Sequence, residues 1–191
     1  MREEPWVPAN PAPLGLAGFG ITTLILSLVN ANLIGMGAEP VVLGLAIAYG
    51  GLAQFMAGMW EFRTGNTFGA TAFTSYGAFW ISFFVLVTFD AKLIAPGEVH
   101  AALGAYLWAW GIFTAYMWLC SFRQPIGVML VFLALAVTFI LLGIGNSGGH
   151  TKIIHAGGWA GLVTAGLALY CSCGMVMRHQ YGRAVLPFTG T

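Results

Sequence analysis

Residues 124–145 read QPIGVMLVFLALAVTFILLGIG, a run without a single charge, bounded by Arg123 on one side and reaching no further charge until Lys152. An α-helix rises 1.5 Å per residue, so about 20 apolar residues cross the roughly 30 Å of hydrocarbon in a bilayer. The pattern repeats along the 191-residue chain. Its charges fall at Arg2, Glu3, Glu4, Glu39, Glu61, Arg63, Asp90, Lys92, Glu98, Arg123, Lys152, Arg178 and Arg183. The intervals between clusters are again roughly 20–30 residues, one membrane crossing each. Six spans are predicted, at 14–37, 40–60, 67–89, 99–122, 124–145 and 153–177. Barrel strands would appear as alternating segments of about 10 residues, which the sequence lacks. The expected fold is therefore all-α: a polytopic membrane protein with six transmembrane helices.

Composition agrees with this reading. Hydrophobic residues make up 59% of the chain and charged residues 7%, with a mean hydropathy of +0.84. Soluble domains carry about 25% charged residues to keep their surface in water. A net charge of +1 gives no footing for a nucleic-acid partner. With an even number of spans the termini share a side, which carries Arg2, Arg63, Arg123, Arg178 and Arg183 against Lys92 and Lys152 opposite. Positive residues favour the cytoplasmic face, so both termini are expected there. The opening residues are acidic and broken by proline, and the first apolar run is too long for a leader, so no cleaved signal is expected. The expected division is a short cytoplasmic arm over 1–13, the membrane domain over 14–178 and a short cytoplasmic tail over 179–191.

Polar groups inside the spans are expected to meet partners or a water-filled path. In the third span Thr67, Thr71, Thr74, Ser75 and Ser82 recur at helical spacing and share a face, which suggests a neutral, hydrogen-bonding lining. The first span offers Thr22 or Thr23, then Leu26 and Asn30, beginning near Phe19. Gln54 sits between Gly50 and Gly58 on the second. Such a lining suits a small solute, neutral or singly charged, that accepts hydrogen bonds, with Phe19 and Tyr76 available as a constriction. Glu61 and His155 stand where they could titrate with a proton gradient, or serve as interfacial anchors. Gly157 and Gly161 form a small-xxx-small pair, able to act within a protomer or between subunits. Cys120, Cys171 and Cys173 read as apolar filler, because a C-x-C pair on a helix points its thiols apart. No nucleophile, metal or phosphate motif is present, so neither an enzyme, a metal nor a cofactor is expected.

The residues also carry a resemblance. Asn10-Pro11-Ala12-Pro13-Leu14-Gly15-Leu16 resembles the N-P-A-P-L-G-L signature of the acetate and succinate transporter family. Asparagine and proline suit a stiff helix start, where the first N–H groups lack partners anyway. Gly50-Gly51-Leu52-Ala53-Gln54 resembles the family's G-G-x-A-Q, and residues 65–80, from Gly-Asn-Thr-Phe-Gly through Ser-Tyr-Gly to Phe-Trp, resemble its third-span block. Ile144-Gly145-Asn146, His155 with Gly158-Trp159, and Gly182-Arg183 with Leu186-Pro187 are similar to later family positions. The likeness runs from Asn10 to Pro187.

This resemblance implies a six-span protomer similar in fold to bacterial urea channels, assembled as a homohexamer in membrane lipid, with a path through each protomer. It implies carriage of acetate and small monocarboxylates, in some members succinate, coupled to protons. By motif position the family's apolar gate falls on Phe19, Tyr76 and Leu135, and its polar path positions on Asn30, Gln54, Asn66, Thr71 and Asn146. Thr74 and Ser75 join that set from their place on the third-span face. Two other readings stand beside it. One is a passive pore for another small solute such as urea or ammonia. The other is a non-conducting membrane scaffold, whose mark would be long, patterned tails.

Overall fold

Every predicted span becomes a helix, and the turns fall at the charges. The computed structural model describes residues 6–189. Helix α1 is Ala12–Asn30 and α2 is Pro40–Thr64, the latter interrupted by a π-helical turn at Ala48–Ala53. Then follow α3 at Thr67–Thr88, α4 at Val99–Cys120, α5 at Ile126–Gly148 and α6 at Thr151–Tyr181. All six are long and apolar enough to cross a membrane. The chain is thus a polytopic all-α membrane protein. Arg2, and the first five residues of the expected arm, lie outside the described residues.

Local chemistry explains the ends. The Asn10 side chain accepts the Ala12 N–H at 3.0 Å, so the signature starts α1 two residues before position 14. Residues 31–37, expected to continue that helix, leave it because Asn32 turns left-handed at φ 57°, a region asparagine tolerates better than most residues. A short 3-10 turn at Met36–Ala38 follows instead. Gly65, at φ +78°, ends α2, and Asn66 opens α3 one residue later by accepting the Gly69 N–H at 3.1 Å. Helix α6 has 31 residues, about 46 Å, and so continues past both ends of its expected span. The chain after it folds back, its Phe188 carbonyl accepting the Gly127 N–H at 2.9 Å.

The helices pack in the order α3, α2, α1, α6, α5, α4, and side chains of α3 and α4 close the ring. Lipid tails are as apolar as leucine, so helix association in a membrane rests on close packing and hydrogen bonds. Gly157 and Gly161 provide the first. A side chain at Gly157 would strike Leu142 of α5, one at Gly158 would strike the Asn30–Ala31 backbone, and one at Gly161 would strike Ser27 of α1. The small-residue pair therefore packs helices of this chain against one another. Hydrogen bonds close the ring between α3 and α4, where Tyr76 Oη meets Thr114 Oγ1 at 2.9 Å and Ser82 Oγ meets Tyr106 Oη at 2.8 Å. Cys171 joins the core while Cys173 faces outward, as expected for a C-x-C pair on a helix.

Candidate functional site

The ring encloses two cavities that share a wall. The larger is a vestibule of about 320 Å³ at the end where α1 finishes and α2 begins. Its polar lining comes from Thr23, Ser27 and Asn30 of α1, Thr138 and Asn146 of α5, and Glu39 just before α2. Aromatic side chains of α3 and α4 complete it, among them Phe79, Trp80, Phe83 and Tyr106. The smaller cavity, about 20 Å³, lies deeper and is lined by Leu16, Gln54, Phe73, Tyr76 and Phe132. Phe19 and Leu135 border both. A separate groove of about 930 Å³ opens on the other side of α1, beside Asn10, Leu14 and Arg178.

The three residues Phe19, Tyr76 and Leu135 thus come together, and each is buried. The Phe19 and Tyr76 rings stand 5.7 Å apart at 53°. Tyr76 is held from behind by edge contacts to Phe113 at 5.3 Å and by its hydrogen bond to Thr114. Thr114 itself donates to the Trp110 carbonyl at 2.7 Å, so the ring is anchored to α4 through two bonds in series. Below them Gln54 is 1% exposed, and its Oε1 has no hydrogen-bond partner among the described residues. It follows directly on the π turn. That wide turn is built around Gly50 and Gly51, and Thr22 packs against Gly50. Such turns frequently interrupt helices at functional sites.

Two polar atoms on residues that line the vestibule are left without partners. Thr23 Oγ1 and Trp80 Nε1 are buried without a partner among the described residues, and an indole N–H can only donate. A small oxyanion or carbonyl presents the matching acceptors. The first span's open choice is thereby resolved: Thr23 lines the cavity, whereas Thr22 donates to the Gly18 carbonyl at 2.8 Å and packs.

Other expected positions lie elsewhere. Asn30 and Asn146 line the vestibule, with Asn146 Nδ2 donating to the Leu142 carbonyl at 2.8 Å. Asn66, Thr71, Thr74 and Ser75 line none of these three cavities. Helical geometry gives the reason, since one face of α3 carries Phe73, Tyr76 and Trp80 inward while Thr71, Ser75 and exposed Ala78 turn away from it. Thr74 packs on Gly58 of α2. Asn66 Nδ2 donates instead to Glu61 Oε2 at 2.9 Å, and Thr64 donates to the same oxygen at 3.2 Å. Glu61 is 1% exposed, and its Oε1 is unpartnered among the described residues. His155, partly exposed on α6, borders no cavity described here. Sequence reasoning missed the aromatic wall of Phe79, Trp80 and Phe83, whose spacing is as helical as that of the hydroxyls. It also missed Glu39 and the π turn, for which Gly50-Gly51 was the available signal.

A ring of six membrane helices, with a vestibule that narrows onto an uncharged constriction, defines a channel or transporter, and comparison with known proteins agrees. The chain belongs to the GPR1/FUN34/yaaH family, whose profile matches residues 5–188. It is 43% identical to the succinate-acetate/proton symporter SatP of Escherichia coli K12 over 179 residues, covering 94% of each chain. It is 41% identical to the ammonia transport outward protein 2 of Saccharomyces cerevisiae over 186 residues, covering 94% of this chain and 66% of that one. Among solved structures, that of the bacterial acetate channel SatP matches at a TM-score of 0.89 and 42% identity, over 95% of this chain and 99% of that one.

Proposed function

We propose that this protein carries acetate and related small monocarboxylates, and with them the dicarboxylate succinate, across the cytoplasmic membrane in step with protons. The solute enters the vestibule, crosses the constriction of Phe19, Tyr76 and Leu135, and meets Gln54 beyond it. The observation that carries the reading is the shared wall of the two cavities: Phe19 and Leu135 stand between a vestibule with donor groups and a small apolar cavity with a buried amide. A bare carboxylate loses much hydration free energy in so narrow and apolar a place, which favours a partly dehydrated or protonated acid. The names of the SatP relatives support the same solute.

In this reading Asn30 and Asn146 receive the solute and Gln54 hands it on. Asn66, Thr71, Thr74 and Ser75 serve the path from the helices that frame it. Glu61 and His155 are the groups assigned to proton movement. Residues 14–178 form the conducting unit, with 1–13 and 179–191 as short cytoplasmic segments. The protomer works in a homohexamer embedded in membrane lipid.

A second reading, a passive pore for ammonia or urea, has the name of the yeast relative in its favour. Competition separates the two. In proteoliposomes, unlabelled acetate should suppress uptake of labelled acetate while urea and ammonium leave it unchanged; suppression by ammonium or urea, with none by acetate, would overturn the carboxylate assignment.

A further inference from the structure

Of the described residues that line the vestibule, Glu39 alone carries a formal charge. It stands at the start of α2, where its side chain makes no capping bond to the helix, so the carboxyl group is not committed to local structure. Pro40, which follows, has no N–H to offer it. The walls around it are chiefly aromatic and aliphatic, and low-dielectric walls concentrate the field of a single charge across the opening.

We propose that Glu39 is the charge filter of the vestibule: as a carboxylate it holds anionic substrates out of the mouth, and as a neutral acid it lets them in. Protonation adds a hydrogen-bond donor as well as removing the charge. An ionised carboxyl only accepts, whereas a protonated one donates, and so joins Thr23 and Trp80 in facing an oxyanion. This inference rests on the reading of the vestibule as the way in for a carboxylate.

The other ionisable groups nearby leave that role to Glu39. Helix α1 contributes none, and α3 contributes only Tyr76, which is engaged with Thr114 far below. From α4, Tyr106 shares the cavity, but its hydroxyl is tied to Ser82 and to the Phe79 carbonyl at 3.1 Å, and His100 stands 3.2 Å from the backbone carbonyl of Asn146 without lining the cavity. Tyr49 lies in the π turn, on the groove side of α1. Asp90 and Lys92 flank Ala91, which borders the vestibule, and His155 follows Ile154, which borders it too; none of the three lines it. Burial is what acts on the Glu39 carboxyl, and it pushes its proton affinity up from the ordinary carboxylate range. The sign follows: Glu39 loses its charge as the outside acidifies, and burial brings that loss on at a higher pH than for an ordinary carboxylate. Influx of a carboxylate should therefore rise in acid more steeply than the supply of undissociated acid does.

The test is influx into proteoliposomes, corrected for protein-free vesicles, from acidic to slightly alkaline external pH. Labelled acetate is compared with acetamide, its uncharged isostere. At the alkaline end of that range Glu39→Gln should raise acetate influx about tenfold, the scale of two like charges several ångströms apart at a protein surface. In acid it should converge with the wild type; acetamide influx should not change, and Glu39→Asp should keep the wild-type profile. If Glu39→Gln carries acetate with an unchanged pH profile, or speeds acetamide equally, the filter is overturned while the carboxylate function stands. A wild type that passes no acetate overturns both. Should Glu39→Gln fail to fold, the wild-type acetate-to-acetamide ratio decides, since a ratio that merely tracks undissociated acid refutes the filter.

Discussion

Leu135 and Phe19 border both cavities, so their bulk sets what can pass between them. Leu135→Ala should widen the constriction by three methyl-sized groups and admit larger acids. Labelled lactate uptake should rise at least severalfold in that variant, and an unchanged substrate range would remove Leu135 from the gate. Tyr76→Phe keeps the ring and loses its hydrogen bond to Thr114, a change of about 1 kcal/mol. Thermal unfolding in detergent should register it as a small drop with transport largely retained, whereas Gln54→Ala should spare stability and lower acetate uptake. At this scale the sequence was readable where two signals met. Gln54 stood out both as a lone amide between glycines and as a motif position. Thr22 and Thr23 could not be told apart, because adjacent residues lie 100° apart on a helix and only the packed neighbours decide which one faces inward.

Between elements the decisive contacts are those of small residues. Gly158 admits the backbone of Asn30 and Ala31, so Gly158→Leu forces α1 from α6 and should cost about 1–3 kcal/mol or more. Gly166, on the same helix, has open space at its Cβ position. Gly166→Leu should leave the melting temperature in detergent unchanged, and equal losses in the two variants would contradict the close packing. The hydroxyl stripe of α3 shows what periodicity can and cannot tell. It located a face correctly, since Thr71 and Ser75 do share one side, but a helix has two sides. The opposite one, with Tyr76 and Trp80, turned inward. Likewise the π turn of α2 depends on how Thr22 and Tyr49 pack about Gly18 and Gly50, which no pattern within α2 encodes.

For the whole molecule, six spans were legible because so few charges are available and each must stay near water. The run between Arg123 and Lys152 needs no partner to be recognised as a crossing. The ring order was not legible, since it depends on which glycine faces which helix and on bonds such as Ser82 to Tyr106. That ring turns six ordinary hydrophobic helices into a wall around a vestibule and a constriction, and the central claim is that a carboxylic acid moves through it with a proton. The most direct test is uptake of labelled acetate into proteoliposomes of the purified protein, with and without an inward pH gradient. The account predicts accumulation above equilibrium that requires the gradient and falls in Gln54→Ala. Uptake no greater than in protein-free vesicles would contradict it outright, and equilibration without accumulation would contradict the coupling to protons.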